Sequence, residues 1–480
     1  MHLISRYAQL DPRLFSKQRP TVLKGAKAGH FNQPLADQLQ WTADEQAAWV
    51  DICSGQHLFE ATEPLAMVYA GHQFGHWAGQ LGDGRGLLLA QVLDRQGQVI
   101  DLHLKGAGKT PYSRMGDGRA VLRSVIREYL AGHALTALGV PSSQSVGFTS
   151  SAQGVQREVL EPGAMLLRTA DCHIRFGHFE WINQYAPELL KDFVQQCITW
   201  HYPDCLDAEQ PVVAFAHAVI KKTAIMIAKW QLVGFAHGVM NTDNLNITGS
   251  TLDFGPFGFL ERFKPNWINN HSDHQGRYTY QNQPSVAHWN LWVWLNNLIP
   301  LAADDQQDEL KTALQAALAT FEPIFLQTYQ DGLAHKMGLP TFHHDSLACG
   351  TAFLSILQKE KLDYTQSFIR LQTKAYQALR DDCIDLEAFD AFMTNYHQIR
   401  SNQNIDELQT LMCQHNPRYI LRNHMAQAAI EAAERDDFTE VDRLFHLLAT
   451  PYTQQVEREK ATDLTPPALG DAEIAISCSS

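Results

Sequence analysis

The sequence lacks the features that mark secreted and membrane proteins. Its 480 residues include eight cysteines, yet no two of them form a C-x-x-C pair, which argues against a disulfide framework. No run approaches the roughly 20 apolar residues of a membrane span. The first residues also lack a basic segment followed by an apolar signal core. We therefore expect a cytoplasmic protein with reduced thiols and no membrane partner.

An excess of positive charge is also missing. Lys and Arg together number 38 against 52 Asp and Glu, which gives a formal net charge of −14. This balance opposes non-specific attraction to nucleic acid and to anionic membrane surfaces. Nucleic acid is therefore not an expected partner.

The composition that remains is that of an ordinary globular protein, with 45% hydrophobic and 19% charged residues. A chain of this length accommodates two or three domains. Glycine turns, β-like runs and helical periodicity predict an α+β fold. The predicted units are an N-terminal extension over residues 1–65 that wraps the core, an α+β lobe over 66–160, a mainly helical lobe over 161–452, and a flexible tail over 453–480.

Most of the helical lobe has 3.6-residue periodicity and few breakers. A helix pattern over residues 212–234 leads into the segment that begins at His237. Five further long helical segments are predicted: Trp289–Leu301, Asp308–Met337, Ser346–Gln372, Leu386–Arg400 and Arg418–Leu448.

A buried carboxylate is predicted in the α+β lobe. Two β-like runs cover residues 86–92 and 99–105, and a helical pattern follows over 119–138. Glu128 falls on the apolar stripe of that helix, where a carboxylate costs several kcal/mol unless it is paired. Lys105, at the end of the preceding run, is the nearest cationic partner along the chain. This residue is either a surface lysine or one half of the Lys–Glu pair that positions nucleotide phosphates in kinases.

Two glycine motifs flank these elements. Gly82-Asp83-Gly84-Arg85-Gly86 precedes the first β-like run, and Gly116-Asp117-Gly118-Arg119 repeats the same tetrapeptide before the helix. Glycines allow close approach of backbone N–H groups to phosphate, although a simple hairpin turn explains either motif alone.

The segment after the 212–234 helix resembles the metal-binding half of a kinase site. A kinase catalytic loop reads H-R-D-x-x-x-x-N and is followed by D-F-G, in which the Asn and the second Asp hold magnesium. Here Asn244 and Asp253 stand at those two positions, whereas Val239 replaces the catalytic base. The pattern predicts an ATP and metal site that does not work as an ordinary kinase.

Arginines are frequent between residues 156 and 178, at Arg157, Arg168 and Arg175. The arginine fork suits phosphate oxygens, although structural ion pairs explain the same pattern.

Taken together, long motifs resemble the selenoprotein O family, the YdiU-type proteins of bacteria, over nearly the whole chain. The resemblance implies a protein-kinase-like two-lobed fold with an enlarged, mainly helical C-terminal lobe. It also implies transfer of AMP from ATP to Ser, Thr or Tyr hydroxyls of proteins, with release of pyrophosphate. The motifs begin at residues 81, 105, 234, 251 and 271 and include the Cys-Ser-Ser terminus.

The family's site residues transfer to this chain position by position. The resemblance implies that Lys105 holds phosphates and pairs with Glu128, that Asp243 accepts the proton, and that Asn244 and Asp253 bind Mg²⁺ or Mn²⁺. ATP lies flipped in the family, so that its α-phosphate faces the acceptor hydroxyl. The remaining nucleotide contacts implied are Gly82, Gly84, Arg85, Asp117, Gly118, Arg168 and Arg175, with Asp253 among them through the metal.

Cys478 stands where eukaryotic members of the family carry selenocysteine, which implies a redox role in the tail. Some bacterial members have a partner cysteine before His271, but that loop reads Trp267-Ile-Asn-Asn270 in this chain. Cys349, Cys383 and Cys413 are alternative partners that spacing does not separate.

Two other functions compete with AMP transfer. A phosphotransferase on the same fold needs another base in place of Val239, and a non-catalytic scaffold binds ATP without forming a product. The expected partners are ATP and protein substrates, and the protein is expected to be a monomer.

Overall fold

The computed structural model describes residues 1–60, 62–341, 344–401, 403–468, 474 and 476. Its fold is mixed α/β, with one large antiparallel sheet followed by many helices. The predicted tail cysteine, Cys478, lies outside the described residues.

Most strands belong to the large sheet. In the described residues ten strands form it in the order β2-β4-β6-β7-β10-β9-β3, while β1 pairs with β6, β5 with β4, and β8 with β10. The predicted runs over 86–92 and 99–105 are confirmed as β6 and β7. The strands are β1 His2–Ile4, β2 Phe15–Lys17, β3 Lys27–Phe31, β4 Leu65–Gln73, β5 His76–Gly82, β6 Gly86–Leu93, β7 Val99–Lys105, β8 Ala120–Val121, β9 Gln144–Gln156, β10 Leu160–Ala170, β11 Phe235–Ala236 and β12 Gly258–Phe259.

The N-terminal extension is part of this sheet. Its three strands β1–β3 pair with β6, β4 and β9, and its prolines fall outside them. Proline lacks the N–H group that a strand ladder needs, so the segments between the strands tolerate it better than the strands do. The sheet also continues past residue 160, the predicted end of the first lobe, because β10 extends it to Ala170.

The helices follow the predicted periodicity, but three of the long segments are divided, and in a fourth, Trp289–Leu301, the α-helix ends at Asn296. Asp308–Met337 contains α9 and α10, Ser346–Gln372 contains α11 and α12, and Arg418–Leu448 contains α16 and α17. At the second break Asp363 accepts a hydrogen bond from Gln366 N at 2.7 Å, so a helix N-cap interrupts the periodic pattern.

Leu386–Arg400 is confirmed as α14, and the patterns over 119–138 and 212–234 are confirmed as α4 and α7. The helices are α1 Gln33–Gln38, α2 Ala43–Ala47, α3 Trp49–Cys53, α4 Leu122–Ala137, α5 Phe176–Tyr185, α6 Leu190–His201, α7 Pro211–Val233, α8 Gln283–Asn296, α9 Gln307–Leu318, α10 Phe321–Met337, α11 His344–Glu360, α12 Tyr364–Gln372, α13 Tyr376–Asp381, α14 Leu386–Arg400, α15 Ile405–His415, α16 Asn423–Ala433 and α17 Thr439–Ala449.

By length and composition α7 is able to cross a membrane, contrary to the expectation that no segment qualifies. The helix packs against α8, α9 and α10, and Phe215, Val219, Ile227 and Trp230 are buried. A helix that is apolar on most sides is also what the core of a large protein requires.

The first part of the predicted flexible tail is packed. Asp463 is buried and accepts hydrogen bonds from Arg443 of α17 at 2.8 and 3.0 Å. Glu459 likewise receives a bidentate contact from Arg418, at 2.6 and 2.9 Å. Charged partners outside the segment therefore contact this part of the predicted tail.

Candidate active site

A cleft of about 790 Å³ lies between the large sheet and the loops that follow α7. Four aspartates line it, against seven arginine or lysine side chains, so it is cationic in a protein of net charge −14. A concave site of one charge concentrates ligands of the other charge. Its cations are Arg85, Lys105, Arg114, Arg119, Arg157, Arg168 and Arg175.

The cleft brings together the nucleotide, metal and catalytic residues that the resemblance implies. Glu128 alone among them does not line the cleft but lies behind Lys105. The residues that do line it are Gly82, Gly84, Arg85, Lys105, Asp117, Gly118, Arg168, Arg175, Asp243, Asn244 and Asp253.

The predicted Lys105–Glu128 ion pair is confirmed. β7 ends with Lys105, α4 carries Glu128, and Nζ of the lysine donates to Oε2 of the glutamate. Both side chains are buried. Burial lowers the pKa of Lys105 to about 8, an effect that the charge of Glu128 opposes.

Two arginines hold Asp253. Arg168 Nη1 donates to Oδ1 of Asp253 at 2.6 Å and to Oε1 of Glu128 at 3.3 Å, so it links both sides of the cleft. Arg175 Nη1 donates to Oδ2 of Asp253 and to the carbonyl oxygen of Asp243. Burial opposes ionisation of Asp253, but Arg175 and Arg168 hold its pKa well below the usual range. Asp253 therefore stays a carboxylate.

The backbone at Asp253 is left-handed, with φ of 55°. This conformation is uncommon for a residue other than glycine, and it persists where surrounding contacts determine it. His237 provides one such contact nearby, because its Nε2 lies 2.8 Å from the carbonyl oxygen of Leu252.

The loop after α7 is held from several sides. Asn270 donates to the carbonyl oxygen of Gly238 at 3.1 Å, and Asn290 donates to that of Met240 at 2.9 Å. Asn244 donates from its own amide to the carbonyl oxygen of Val239 at 2.9 Å. This bond leaves the amide oxygen of Asn244 as the atom suited to a ligand.

Asp243 is buried in this loop. Its Oδ2 accepts from Gln73 Nε2 at 3.2 Å, while its Oδ1 has no hydrogen-bond partner in the described part of the chain. Burial raises the pKa of Asp243 to about 7, although the nearby charge of Arg175 opposes the shift.

The glycine motifs shape the rim. Gly82 has φ of 149° and Gly118 has φ of 72°, values that favour glycine. The carbonyl oxygen of Arg85 accepts from Gly106 N at 2.7 Å, which joins the first motif to the end of β7. Asp117 pairs with Arg157 at 2.8 Å, so an ion pair stands where the sequence predicts a nucleotide contact.

The β4–β5 hairpin is a part of the site that the sequence analysis missed. Besides the contact of Gln73, His72 N donates to Thr242 Oγ1 at 2.7 Å and Phe74 N donates to Asn241 Oδ1 at 3.2 Å. These hydrogen bonds attach the hairpin to the loop that carries Asp243. The segment Gly71-His-Gln-Phe-Gly75, a glycine-flanked turn, was the available signal.

Comparison with known proteins identifies the family of this chain. The sequence model of the family described as protein adenylyltransferase SelO matches residues 5–449. Proteins named protein nucleotidyltransferase YdiU from Pectobacterium atrosepticum and Yersinia pseudotuberculosis are each 44% identical, with 99% of this chain and 98% of each relative covered. The Vibrio parahaemolyticus protein of the same name is 43% identical over the same shares. The chain therefore belongs to the protein adenylyltransferase SelO family.

Proposed function

We propose that this protein transfers AMP from ATP to Ser, Thr or Tyr hydroxyls of other proteins and releases pyrophosphate. The observation that carries the proposal is the bridge made by Arg168 between Glu128, the partner of Lys105, and Asp253. This bridge joins a phosphate-binding lysine to a carboxylate suited to a metal inside one cationic cleft. Family membership supports the same reaction.

We further propose a kinase-like arrangement of two lobes with ATP between them. Three placements support it: Lys105 ends a strand of an antiparallel sheet, Glu128 lies on the next helix, and Asp253 follows a loop after a long helix. Protein kinases place their Lys–Glu pair and metal-binding aspartate in the same order.

The residues present fit a magnesium or manganese ion. Asp253 supplies a carboxylate and Asn244 an amide oxygen, and hard cations prefer oxygen ligands of these kinds. The described residues contain no cluster of three or more His, Cys, Asp or Glu suited to a metal. A magnesium ion held by one or two protein groups and by substrate phosphates matches that finding. When bound, the metal neutralises charge on the phosphates.

In the proposed reaction the acceptor hydroxyl oxygen attacks the α-phosphorus of ATP. The bond from that phosphorus to the bridging oxygen breaks, and pyrophosphate leaves with the bond electrons. Asp243 is suited to take the hydroxyl proton, because its Oδ1 has no hydrogen-bond partner in the described part of the chain. Lys105, Arg168 and Arg175 are suited to hold the phosphates.

We propose that ATP lies flipped relative to its position in kinases. Val239 supports this orientation, because a γ-phosphate transfer at that place lacks a base. Arg85 and Arg119, which also line the cleft, supply further charge for a β,γ-diphosphate. Gly82, Gly84, Asp117 and Gly118 are proposed to line the nucleotide. We also propose a cytoplasmic monomer.

The test uses ATP labelled separately at the α- and γ-phosphates, with Mg²⁺ or Mn²⁺ and a protein lysate. We expect label to enter protein from the α-position alone, and Asp253→Ala to abolish it. Entry from the γ-position alone would show a kinase instead. Binding of ATP without transfer of either label would show a scaffold.

A further inference from the structure

His103 is a buried histidine between two charged residues of the cleft. It stands opposite Arg168 in the pairing of β7 with β10, and two residues before Lys105 on the same strand. Since alternate residues of a strand share a face, His103 and Lys105 lie on one side of the sheet. Arg168 Nη2 lies 3.1 Å from His103 Nδ1, and Asp83 Oδ2 lies 3.2 Å from His103 Nε2.

The contact with Arg168 determines where the imidazole carries its proton. A guanidinium only donates hydrogen bonds, so Nδ1 of His103 must present a lone pair and the proton lies on Nε2. Asp83 Oδ2 faces that nitrogen at 3.2 Å, and Nε2 has no hydrogen-bond partner in the described part of the chain. Its charge favours a proton on Nε2.

Asp83 is itself held in place. Its Oδ2 accepts from Met67 N at 3.0 Å, and its Oδ1 lies 3.5 Å from the Tyr69 hydroxyl. His173 stacks on the His103 ring, with the two ring centroids 4.7 Å apart. The His103 ring therefore has little freedom to rotate.

The glycine motif makes room for this ring. A Cβ atom on Gly86 would lie 2.2 Å from Cε1 of His103, a separation that no ordinary contact allows. Gly86 therefore has to lack a side chain for the His103 ring to occupy its place, and Asp83 of the same motif supplies the facing charge. The motif has a structural use apart from any direct contact with phosphate.

Arg168 depends on His103 for its second anchor. Its contacts with Glu128 and Asp253 both use Nη1, and its Nε has no partner in the described part of the chain. Nη2 is held by His103. Two anchored nitrogens fix the plane of the guanidinium, whereas one leaves it free to turn.

We propose that His103, with its proton on Nε2 facing the charge of Asp83, is a positioning residue that orients the Arg168 guanidinium towards the nucleotide phosphates. This inference rests on the proposed function, because it assigns the phosphates to Arg168. A fixed fork loses less entropy when it binds an anion than a mobile one does.

Two amide substitutions separate the two ring nitrogens. In His103→Asn the side-chain oxygen replaces Nδ1, so an acceptor for Arg168 remains. In His103→Gln the amide reaches the position of Nε2, and the acceptor beside Arg168 is lost. Calorimetric affinity for Mg-ATP and the kcat and KM of α-label transfer are measured for both full-length variants, together with their melting temperatures.

We expect His103→Asn to bind Mg-ATP about tenfold more tightly than His103→Gln, the value of one charge-assisted hydrogen bond. In an Arg168→Ala background the two substitutions should no longer differ, since their effect acts through Arg168. Equal affinities of the two variants in the presence of Arg168 would overturn the proposal, as would a difference that persists in Arg168→Ala. The affinity comparison stands even if the wild type transfers no AMP, so failure of the proposed function is distinguishable.

Discussion

Gln73 Nε2 donates a hydrogen bond to Asp243 Oδ2 at 3.2 Å, and this bond joins residues 170 positions apart. It connects the β4–β5 hairpin to the loop that carries Asp243, the residue proposed to accept the proton. The hairpin is therefore part of the candidate active site, although its residues belong to the sheet.

Substitution of Gln73 by Ala removes that bond and leaves both oxygens of Asp243 without a side-chain donor. We expect kcat for AMP transfer to fall about tenfold with the KM for ATP unchanged, because Asp243 is misplaced and the phosphate-binding residues are not. Gln80→Ala is the matched control: Gln80 lies on the same hairpin and accepts from Trp181 Nε1 at 3.0 Å. A comparable loss of kcat in Gln80→Ala would show a general effect on the hairpin.

Gly71 allows the hairpin to approach the loop. A Cβ atom at this position would lie 2.8 Å from Asp243 Oδ1 and 3.1 Å from Thr242 Oγ1. We therefore expect Gly71→Ala to displace Asp243 and to reduce α-label transfer by about a hundredfold, with circular dichroism unchanged. Full activity in Gly71→Ala would show that Asp243 tolerates displacement and would weigh against its role as proton acceptor.

Substitutions at the Lys105–Glu128 pair distinguish an effect on stability from an effect on AMP transfer. Glu128→Leu alone leaves a buried lysine without its partner, and we expect it to lower the free energy of unfolding by about 3–5 kcal/mol. The double variant Lys105→Met with Glu128→Leu replaces the pair by apolar groups and should recover much of that loss without recovering AMP transfer. Denaturant unfolding and label transfer are measured on the same samples. AMP transfer by the double variant would show that the reaction does not need Lys105.

Because Lys336 is buried, we expect the free energy of unfolding of the protein to depend on pH. The side chain is buried beside Phe368, with Nζ 4.5 Å from the ring centroid, and burial lowers its pKa from 10.5 to about 7. Between those two values the unfolded chain binds a proton that the folded chain does not, so unfolding becomes less favourable as pH rises from 7 to 10.5. Below pH 7 the folded protein carries the full cost of the buried charge.

Lys336→Met should therefore be more stable than the wild type at pH 7, by several degrees in Tm, and the difference should shrink near pH 10. Lys311→Met, at an exposed position of α9, is the control. A Tm difference that does not change with pH would contradict the assignment of the effect to the Lys336 charge.

Local patterns were enough to predict Lys105 and Glu128. A strand that ends in lysine and a carboxylate on an apolar helical stripe are each visible within one element, and burial then requires the two to pair. The position of Asp253 followed from a motif. In contrast, Gln73 and His103 acquire their roles from contacts across 170 and 65 residues of chain, which no periodicity encodes.

The breaks within the predicted long helices were missed for a different reason, because their signal is local. Asp363 caps α12 through a bond only three residues long, but apolar periodicity continues through it and hides the break. The packed segment around Asp463 was missed because its composition is that of a linker, while the arginine that holds it lies on α17.

α4 carries Glu128 and is enclosed on both sides. It packs on β9 and β10 of the sheet and, on its other side, on α16 and α17, and Arg127 additionally donates to the carbonyl oxygen of Phe257 at 2.7 Å. Many protein kinases are switched on and off by a swing of the helix that carries the glutamate of their Lys–Glu pair. A helix clamped between two layers has no room for such a swing. This packing favours a Lys105–Glu128 pair that stays engaged, so we expect regulation of this enzyme to act on other parts of the cleft, such as the β4–β5 hairpin.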